Sequence, residues 1–219
     1  RDVTEHKAKL AGEIKNFDPT VAIDKREVNR MDRYCQVAMV AAKEAMDQAA
    51  LDIASINAYR FGVLVGSGVG GLMTIEDEHR KLIEKGPKRT SPLLIPMIIA
   101  NIASGNIAIR YGAKGNCTTI VTACATGTQS IGEAFHMIRD GRADVMITGG
   151  TEACISDLAI SGFANATAMS LSEDPERASL PFDAERGGFI MGEGAGVLVI
   201  EEYEHAKKRG AKILGEIAG

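Results

Sequence analysis

Residues 117–131 read CTTIVTACATGTQSI. The first five residues of this segment are mostly β-branched, and such a short run is typical of a strand. Apolar residues then recur at helical spacing between residues 125 and 140, at Ile131, Ala134, Phe135 and Ile138, which predicts an amphipathic helix. Cys124 therefore falls at the turn where a predicted strand meets a predicted helix.

The segments on either side continue this alternation. Short apolar runs predict further strands at residues 61–65, 143–148, 195–200 and 211–217. Helical patterns predict helices at residues 31–50, 72–85, 96–111 and 201–209, with Pro96 in the first turn of the third helix and Gly112 ending it. Alternating strands and helices indicate a layered α/β fold with right-handed crossovers.

Composition excludes several classes of protein. The chain has 219 residues, of which 45% are hydrophobic, enough for a sizeable core. A net charge of −4 does not favour nucleic acid as a partner, and no run of about 18 apolar residues predicts a membrane span. The chain opens without a signal-peptide pattern and without Met, which suggests a fragment. Four scattered cysteines without CxxC spacing predict neither a disulfide scaffold nor a metal site, and they favour a reducing cytoplasm.

The position of Cys124 gives its thiol two possible roles. At the start of a helix, unpaired N–H groups and the positive end of the helix dipole favour a thiolate, which predicts a nucleophile. The small neighbours Ala123, Ala125 and Gly127 leave room for a substrate around the sulfur. The alternative is a small buried hydrophobic residue. The other thiols, Cys35, Cys117 and Cys154, lack this placement and are expected to be structural.

A second motif, GSGVGG at residues 66–71, formally matches the dinucleotide-binding pattern. That pattern also requires a second strand ending in an acidic residue about 20 residues later. Residues 86–92 read GPKRTSP instead. The glycines therefore indicate a tight turn with close backbone approach, and a nicotinamide cofactor is disfavoured.

Neither the histidines nor the basic residues complete a site by themselves. His136 lies twelve residues after Cys124, about 18 Å away along a helix, and it is expected at the surface together with His6, His79 and His205. A basic cluster (Arg80, Lys81, Lys85, Lys88 and Arg89) could receive an anionic partner or form a solvated helix face.

Several segments of the chain resemble a known protein family. The segment VTACATG at residues 121–127 resembles the active-site cysteine segment of the elongating β-ketoacyl-acyl carrier protein synthases, closest to their type II members. Further matching segments are RMDRY (30–34), GSGVGGL (66–72), RDGRADV (139–145), PFDAERGGF (181–189), EGAG (193–196) and LVIEEYEHAKKRGA (198–211). Together they cover nearly the whole chain.

The resemblance implies a thiolase-like fold of two similar halves, each with a five-stranded mixed sheet layered with helices. Residues 1–219 would form the N-terminal half, with the first strand and its Gly-rich turn preceding Arg1. Two histidines and a lysine of the family lie in the second half, so this half alone is not expected to condense substrates.

The resemblance also implies a reaction. Cys124 would take a fatty acyl group from an acyl carrier protein thioester, and a malonyl-carrier would lose carbon dioxide and attack the acyl-enzyme. The backbone N–H of Cys124 would be one oxyanion donor. No cofactor or metal is implied, and the enzyme would be cytoplasmic.

Further site residues follow from the family pattern only. Val69 and Phe163 would line the acyl pocket, and Leu94 and Ile95 would reach it from the other subunit of a homodimer. The positions that match a landing patch for the acidic carrier protein are Lys25, Arg26, Arg30, Lys88 and Arg89.

Three rival functions remain open. One is a thiolase acting on coenzyme A, against which the match over residues 201–211 and the basic cluster argue. Another is a non-catalytic chain-length partner subunit, which usually lacks the cysteine found here at position 124. The third is the disfavoured nicotinamide oxidoreductase.

Overall fold

A computed structural model describes residues 3–219. The helices are α1 (Lys25–Val28), α2 (Arg33–Ala49), α3 (Leu72–Lys85), α4 (Leu94–Ile98), α5 (Ile102–Tyr111), α6 (Thr126–Arg139), α7 (Asp157–Asn165) and α8 (Tyr203–Lys208). The strands are β1 (Phe61–Gly66), β2 (Cys117–Thr118), β3 (Val145–Glu152) and β4 (Gly194–Glu201). None of the helices within residues 3–219 has both the length and the apolar character of a membrane span.

The four strands form one mixed sheet in the order β2-β1-β3-β4. β1 runs parallel to β2 and β3, whereas β4 runs antiparallel to β3. Gly66 at the end of β1 lies opposite Gly150 of β3, so the carboxyl ends of these two strands meet at the same edge. The layered α/β fold with a mixed sheet is therefore confirmed, with four strands among the described residues rather than five.

The sheet separates two layers of helices. α2 and α5 pack against one face and α6 packs against the other. Side chains of β1 alternate between the two layers: Val63 and Val65 belong to the core under α2 and α5, and Leu64 belongs to the core under α6. Because both faces are covered, every residue of β1 is buried.

The predicted helix at residues 96–111 is two helices in the structure. Its predicted start at Pro96 is wrong, since α4 already begins two residues earlier. Ile99 has an extended backbone, and its carbonyl oxygen accepts a hydrogen bond from the Tyr34 hydroxyl at 2.6 Å. This long-range contact holds the break between α4 and α5, and Gly112 ends α5 in the left-handed conformation as predicted.

The predicted strand at residues 117–121 is only two residues long. The next residue of β1, Val65, does not pair with β2. The Ser104 hydroxyl accepts a hydrogen bond from the Val65 N–H and donates one to the Val65 carbonyl oxygen, both at 2.9 Å. The Thr119 hydroxyl also donates to that carbonyl at 3.1 Å. The chain therefore leaves the sheet before it reaches Cys124.

The strand predicted at residues 211–217 is absent from the structure. No neighbouring strand is offered to this segment within the described sheet, and most of its residues are exposed. A strand without a partner leaves its backbone N–H and carbonyl groups unpaired, so the apolar pattern alone does not produce one.

Candidate active site

Cys124 lies at the centre of a single helical turn, Ala123–Ala125, that leads directly into α6. Its side chain is exposed. The preceding residue, Ala123, has a φ of 51°, a left-handed conformation that costs a non-glycine residue about 1–2 kcal/mol. The structure thus places the thiol on a strained turn at the start of a helix, where the sequence predicted it.

Two hydrogen bonds close this turn. The Thr126 hydroxyl oxygen accepts from the Thr122 N–H at 2.8 Å, and the Ala125 N–H donates to the Thr122 carbonyl at 3.1 Å. Thr126 is only 4% exposed, so its hydroxyl is held in place by packing. These contacts fix the backbone on both sides of Cys124.

A close approach of α6 to the sheet brings the turn to the carboxyl edge. Gly127 in the first turn of α6 faces Gly150 of β3, and a methyl group added at Gly150 would lie 2.8 Å from the Gly127 Cα. Real Cβ atoms essentially never make such a contact, so glycine at position 150 is what allows the helix to rest directly on the strand. The start of α6, and Cys124 with it, is therefore anchored to β3.

The Gly-rich loop at residues 66–71 lies beside the Cys124 turn. Its Gly68 and Val69 N–H groups donate to one carboxylate oxygen of Glu152, at 2.9 and 3.1 Å. These are the N–H groups that a dinucleotide phosphate would need, and a carboxylate occupies them. This arrangement agrees with the interpretation of the loop as a tight turn and argues against a nicotinamide site.

Sequence reasoning missed Glu152. Burial raises its pKa above the usual glutamate value, although its hydrogen bonds oppose the shift. An acidic residue directly after the buried run of β3 was the available signal, because the ends of parallel strands β1 and β3 share one edge of the sheet.

The other thiols differ from Cys124 in their surroundings. Cys35 and Cys154 are buried, and burial raises the pKa of each to about 11, which suits the structural role expected of them. Cys117, which was also expected to be structural, is exposed on the edge strand β2. Two thiols, not one, are therefore open to solvent among residues 3–219.

The histidines are less exposed than predicted. Only His79 is exposed among the four, while the other three are partly buried. His6 contacts Asp157 at 3.2 Å, and His205 contacts Glu201. These three side chains are partly covered rather than fully solvated, but each keeps partial exposure to solvent. No hydrogen bond joins a histidine to Cys124 in the described part of the chain.

The residues expected to line an acyl pocket lie on three elements. Val69 belongs to the Gly-rich loop, and the Gly71 N–H of the same loop donates to the Ile98 carbonyl at the end of α4 at 3.1 Å. Leu94 and Ile95 form the first turn of α4, where Ile95 is 60% exposed. Phe163 lies in α7 and packs edge-on against Phe189, with ring centroids 5.3 Å apart.

The five basic positions of the expected landing patch are all exposed. Lys25 and Arg26 lie in α1 and Arg30 follows it, while Lys88 and Arg89 lie in a helical turn, Pro87–Arg89. None of the five forms a salt bridge with another residue of the described chain, whereas most other arginines do. The last two also line a cavity of about 370 Å³ whose rim includes Lys81 and Lys85. The five side chains therefore carry unpaired positive charge, whereas Lys81 on the cavity rim is paired with Glu78.

No group of three His, Cys, Asp or Glu side chains within the described range is placed to hold a metal ion. The site consists of a thiol, backbone N–H groups and the half-buried carboxylate of Glu152. Such a set suits covalent chemistry at sulfur.

Comparisons with known proteins agree with this geometry. The family model of the β-ketoacyl synthase N-terminal domain matches residues 1–206. The chain is 53% identical over its whole length to 3-oxoacyl-[acyl-carrier-protein] synthase 2 of Staphylococcus aureus, of which it covers 54%. It thus spans about half the length of the curated relatives it matches.

Solved structures give the same result. The ishigamide ketosynthase/chain length factor superposes on 97% of this chain with a TM-score of 0.86 and 31% identity, over 52% of its own length. A type II PKS ketosynthase, in complex with its acyl-carrier protein, superposes on 95% of this chain with a TM-score of 0.82 and 33% identity, over 50% of its own length. The chain therefore belongs to the β-ketoacyl synthase family, in the N-terminal domain of that family.

Proposed function

We propose that this chain is the N-terminal half of a 3-oxoacyl-[acyl-carrier-protein] synthase 2 that elongates fatty acids, with Cys124 as the acyl-accepting nucleophile. The observation that carries the proposal is the exposed thiol of Cys124 on a strained turn at the start of α6. The identity of 53% to a protein of that name supports it.

In this mechanism the Cys124 sulfur attacks the carbonyl carbon of an acyl-carrier thioester, and the carrier thiol leaves. A malonyl-carrier then loses carbon dioxide, and the carbanion so formed attacks the acyl-cysteine carbonyl. A carbon–carbon bond forms, the Cys124 thiolate leaves, and the product is a 3-ketoacyl-carrier. The helix N-terminus favours the thiolate both as attacking and as leaving group.

The Cys124 backbone N–H supports the tetrahedral intermediates. It has no hydrogen-bond acceptor within residues 3–219 and is therefore free to donate to an oxyanion. The second oxyanion donor and the two histidines would come from the other half of the full-length enzyme. We therefore expect no condensation by the 219-residue chain alone.

The partner in this proposal is an acidic acyl carrier protein. The uncompensated charges at Lys25, Arg26, Arg30, Lys88 and Arg89 support it, because a positive patch on a protein of net charge −4 steers an anionic partner. A type II PKS ketosynthase similar to this chain is in complex with its acyl-carrier protein. Weaker binding at higher salt is expected.

The acyl chain would occupy a pocket between the Gly-rich loop and α7. Val69 and Phe163 would line it from this chain, and Leu94 and Ile95 would reach the pocket of the other subunit in a homodimer. The exposed first turn of α4 supports this last assignment, because Ile95 has no apolar cover of its own. We place the enzyme in the cytoplasm.

Two other functions are separated by experiment. A coenzyme A thiolase would use the thiol but not the basic patch, and a chain-length partner subunit, suggested by one structural neighbour, would not use the thiol at all.

The test uses the full-length enzyme, incubated with acyl-carrier and followed by intact mass. An acyl adduct on Cys124, lost in Cys124→Ser and kept in Cys117→Ser, is expected. Cys117→Ser is the matched control because it removes the other exposed thiol. An adduct that survives Cys124→Ser contradicts the proposal, and equal use of acyl-coenzyme A favours the thiolase.

A further inference from the structure

Glu152 is the last residue of β3, at the sheet edge next to the Cys124 turn. Its side chain reaches across to the Gly-rich loop that follows β1. Both oxygens of this carboxylate bind the loop.

Both carboxylate oxygens of Glu152 hold the loop. One oxygen accepts from the Gly68 and Val69 N–H groups, and the other accepts from the Ser67 hydroxyl at 3.0 Å. The Ser67 oxygen in turn accepts from the Gly70 N–H at 2.9 Å. One side chain therefore fixes, directly or through Ser67, four consecutive residues of the loop.

The loop held in this way touches the backbone of the nucleophile turn. A methyl group added at Gly68 would lie 2.9 Å from a Glu152 oxygen and 3.3 Å from the Ala123 carbonyl oxygen. Gly68 is thus enclosed between the carboxylate and the residue that precedes Cys124. A shift of the loop by even a fraction of an ångström changes the space beside the thiol.

The Glu152 carboxylate has no cationic partner among the described residues. No lysine, arginine or histidine forms a salt bridge with Glu152 in the described chain, and the charged group that acts on it is another carboxylate, Asp32. A half-buried charge without a counterion costs stability. The two carboxylate oxygens of Glu152 together accept hydrogen bonds from two N–H groups and one hydroxyl.

We propose that Glu152 is a positioning residue that fixes the Gly-rich loop against the Cys124 turn and so determines which acyl chains reach the thiol. Through the Val69 N–H it also sets the position of the Val69 side chain. This inference rests on the proposed function, since it assigns Glu152 to the acyl site of Cys124.

The test measures alkylation of Cys124 in the full-length enzyme by N-methylmaleimide and N-octylmaleimide. Both reagents add to the thiolate, but only the second requires room for a chain. The ratio of the two rates at Cys124, divided by the same ratio at the exposed Cys117, reports the shape of the acyl site. Mass spectrometry of digested peptides gives both rates in one sample.

We expect Glu152→Ala to change this normalised ratio about tenfold, because displacements near 1 Å have effects of that order or larger. The N-methylmaleimide rate should change less than about twofold by the same argument, since the small reagent needs no pocket. Glu152→Gln, which keeps an acceptor for the two N–H groups, should restore most of the wild-type ratio.

Glu201→Gln is the matched control. It alters a partly buried carboxylate at the far end of the same sheet, where Glu201 binds Arg209. The control should leave the ratio unchanged even if it lowers the melting temperature. A purely structural role of Glu152 would lower the melting temperature and leave the ratio unchanged.

The outcomes separate the two proposals. A wild-type ratio equal at Cys124 and Cys117 contradicts the acyl site itself, and the role of Glu152 with it. A distinct wild-type ratio that persists in Glu152→Ala contradicts only the role of Glu152. If Glu152→Ala does not fold, Ser67→Ala replaces it. This variant loses the hydrogen bonds to Glu152 and from Gly70, so a change of at least about threefold is expected, and no change overturns the proposal.

Discussion

Replacing Thr126 by valine removes the hydroxyl that closes the Cys124 turn while keeping the shape of the side chain. In the native chain this hydroxyl oxygen accepts the Thr122 N–H at 2.8 Å. Valine offers no acceptor, and because Thr122 is exposed water can reach the freed N–H, so we expect the loss of an ordinary hydrogen bond, about 0.5–1.5 kcal/mol. For a chain of this length 1 kcal/mol corresponds to a melting-temperature change of about 2–4 °C, so we expect a loss of roughly 1–6 °C.

The same substitution should lower the reactivity of Cys124. With the turn less tightly closed, the sulfur is held less firmly at the start of α6, where the interaction of an anion with a helix N-terminus is worth about 0.3–1 kcal/mol. We therefore expect a slower reaction with iodoacetamide, by at most about fivefold. The measurement is the Cys124 rate relative to Cys117, by peptide mass spectrometry.

Thr126→Ser is the matched control, because it keeps the hydroxyl and removes one methyl group worth about 0.8 kcal/mol. It should lower stability slightly and leave the relative rate unchanged. If valine and serine behave alike in both measurements, the hydroxyl does not hold the turn and the reasoning fails.

Three further predictions test other parts of the structure. Gly150→Ala forces α6 away from β3 and should cost about 1–3 kcal/mol; an unchanged urea midpoint contradicts that packing. Burial raises the pKa of Glu193, but hydrogen bonds from Arg33 and a backbone N–H outweigh it, so the pKa is lowered. The ionised Glu193 therefore adds to the free energy of unfolding above about pH 4.3. This contribution is lost as the pH falls through the lower pKa of the folded chain. Glu193→Gln should therefore be less stable at pH 7 and approach wild type below pH 4 in denaturant titrations. Burial raises the pKa of Cys35 to about 11, so peptide mass spectrometry should show it alkylated at least about a hundredfold more slowly than an unperturbed cysteine thiol.

The helices with strong local signals were predictable from the sequence. α3 occupies the predicted residues 72–85, and α2 begins at the capping carboxylate of Asp32 within the predicted range. In these segments periodicity, caps and glycines all act within a few residues. The buried strands β1 and β3 and the partly exposed strand β4 were also located, because a continuous apolar run is a local property.

Two of the errors in the fold depend on contacts between distant residues. Tyr34 interrupts the α4–α5 segment from 65 positions away, and Ser104 ends β2 by occupying Val65 from 39 positions away. No pattern within residues 94–118 reveals either contact. The role of Glu152 escaped for the same reason, since its partners lie more than 80 positions earlier in the chain.

The nucleophile turn combines both kinds of information. Its position follows from the local sequence, but the left-handed Ala123 is unfavourable locally and persists because surrounding contacts hold it. Those contacts come from β1, β3 and α6, so the geometry of Cys124 depends on the packed sheet. Substitutions that loosen α6 should therefore reduce thiol reactivity and stability together.

Charge reversal at Lys88, which is exposed and unpaired, should weaken only the salt-dependent binding of an acidic carrier and leave both the melting temperature and the alkylation rate of Cys124 unchanged. A parallel loss of all three in Lys88→Glu would show that the basic surface and the thiol turn are not independent parts of the fold.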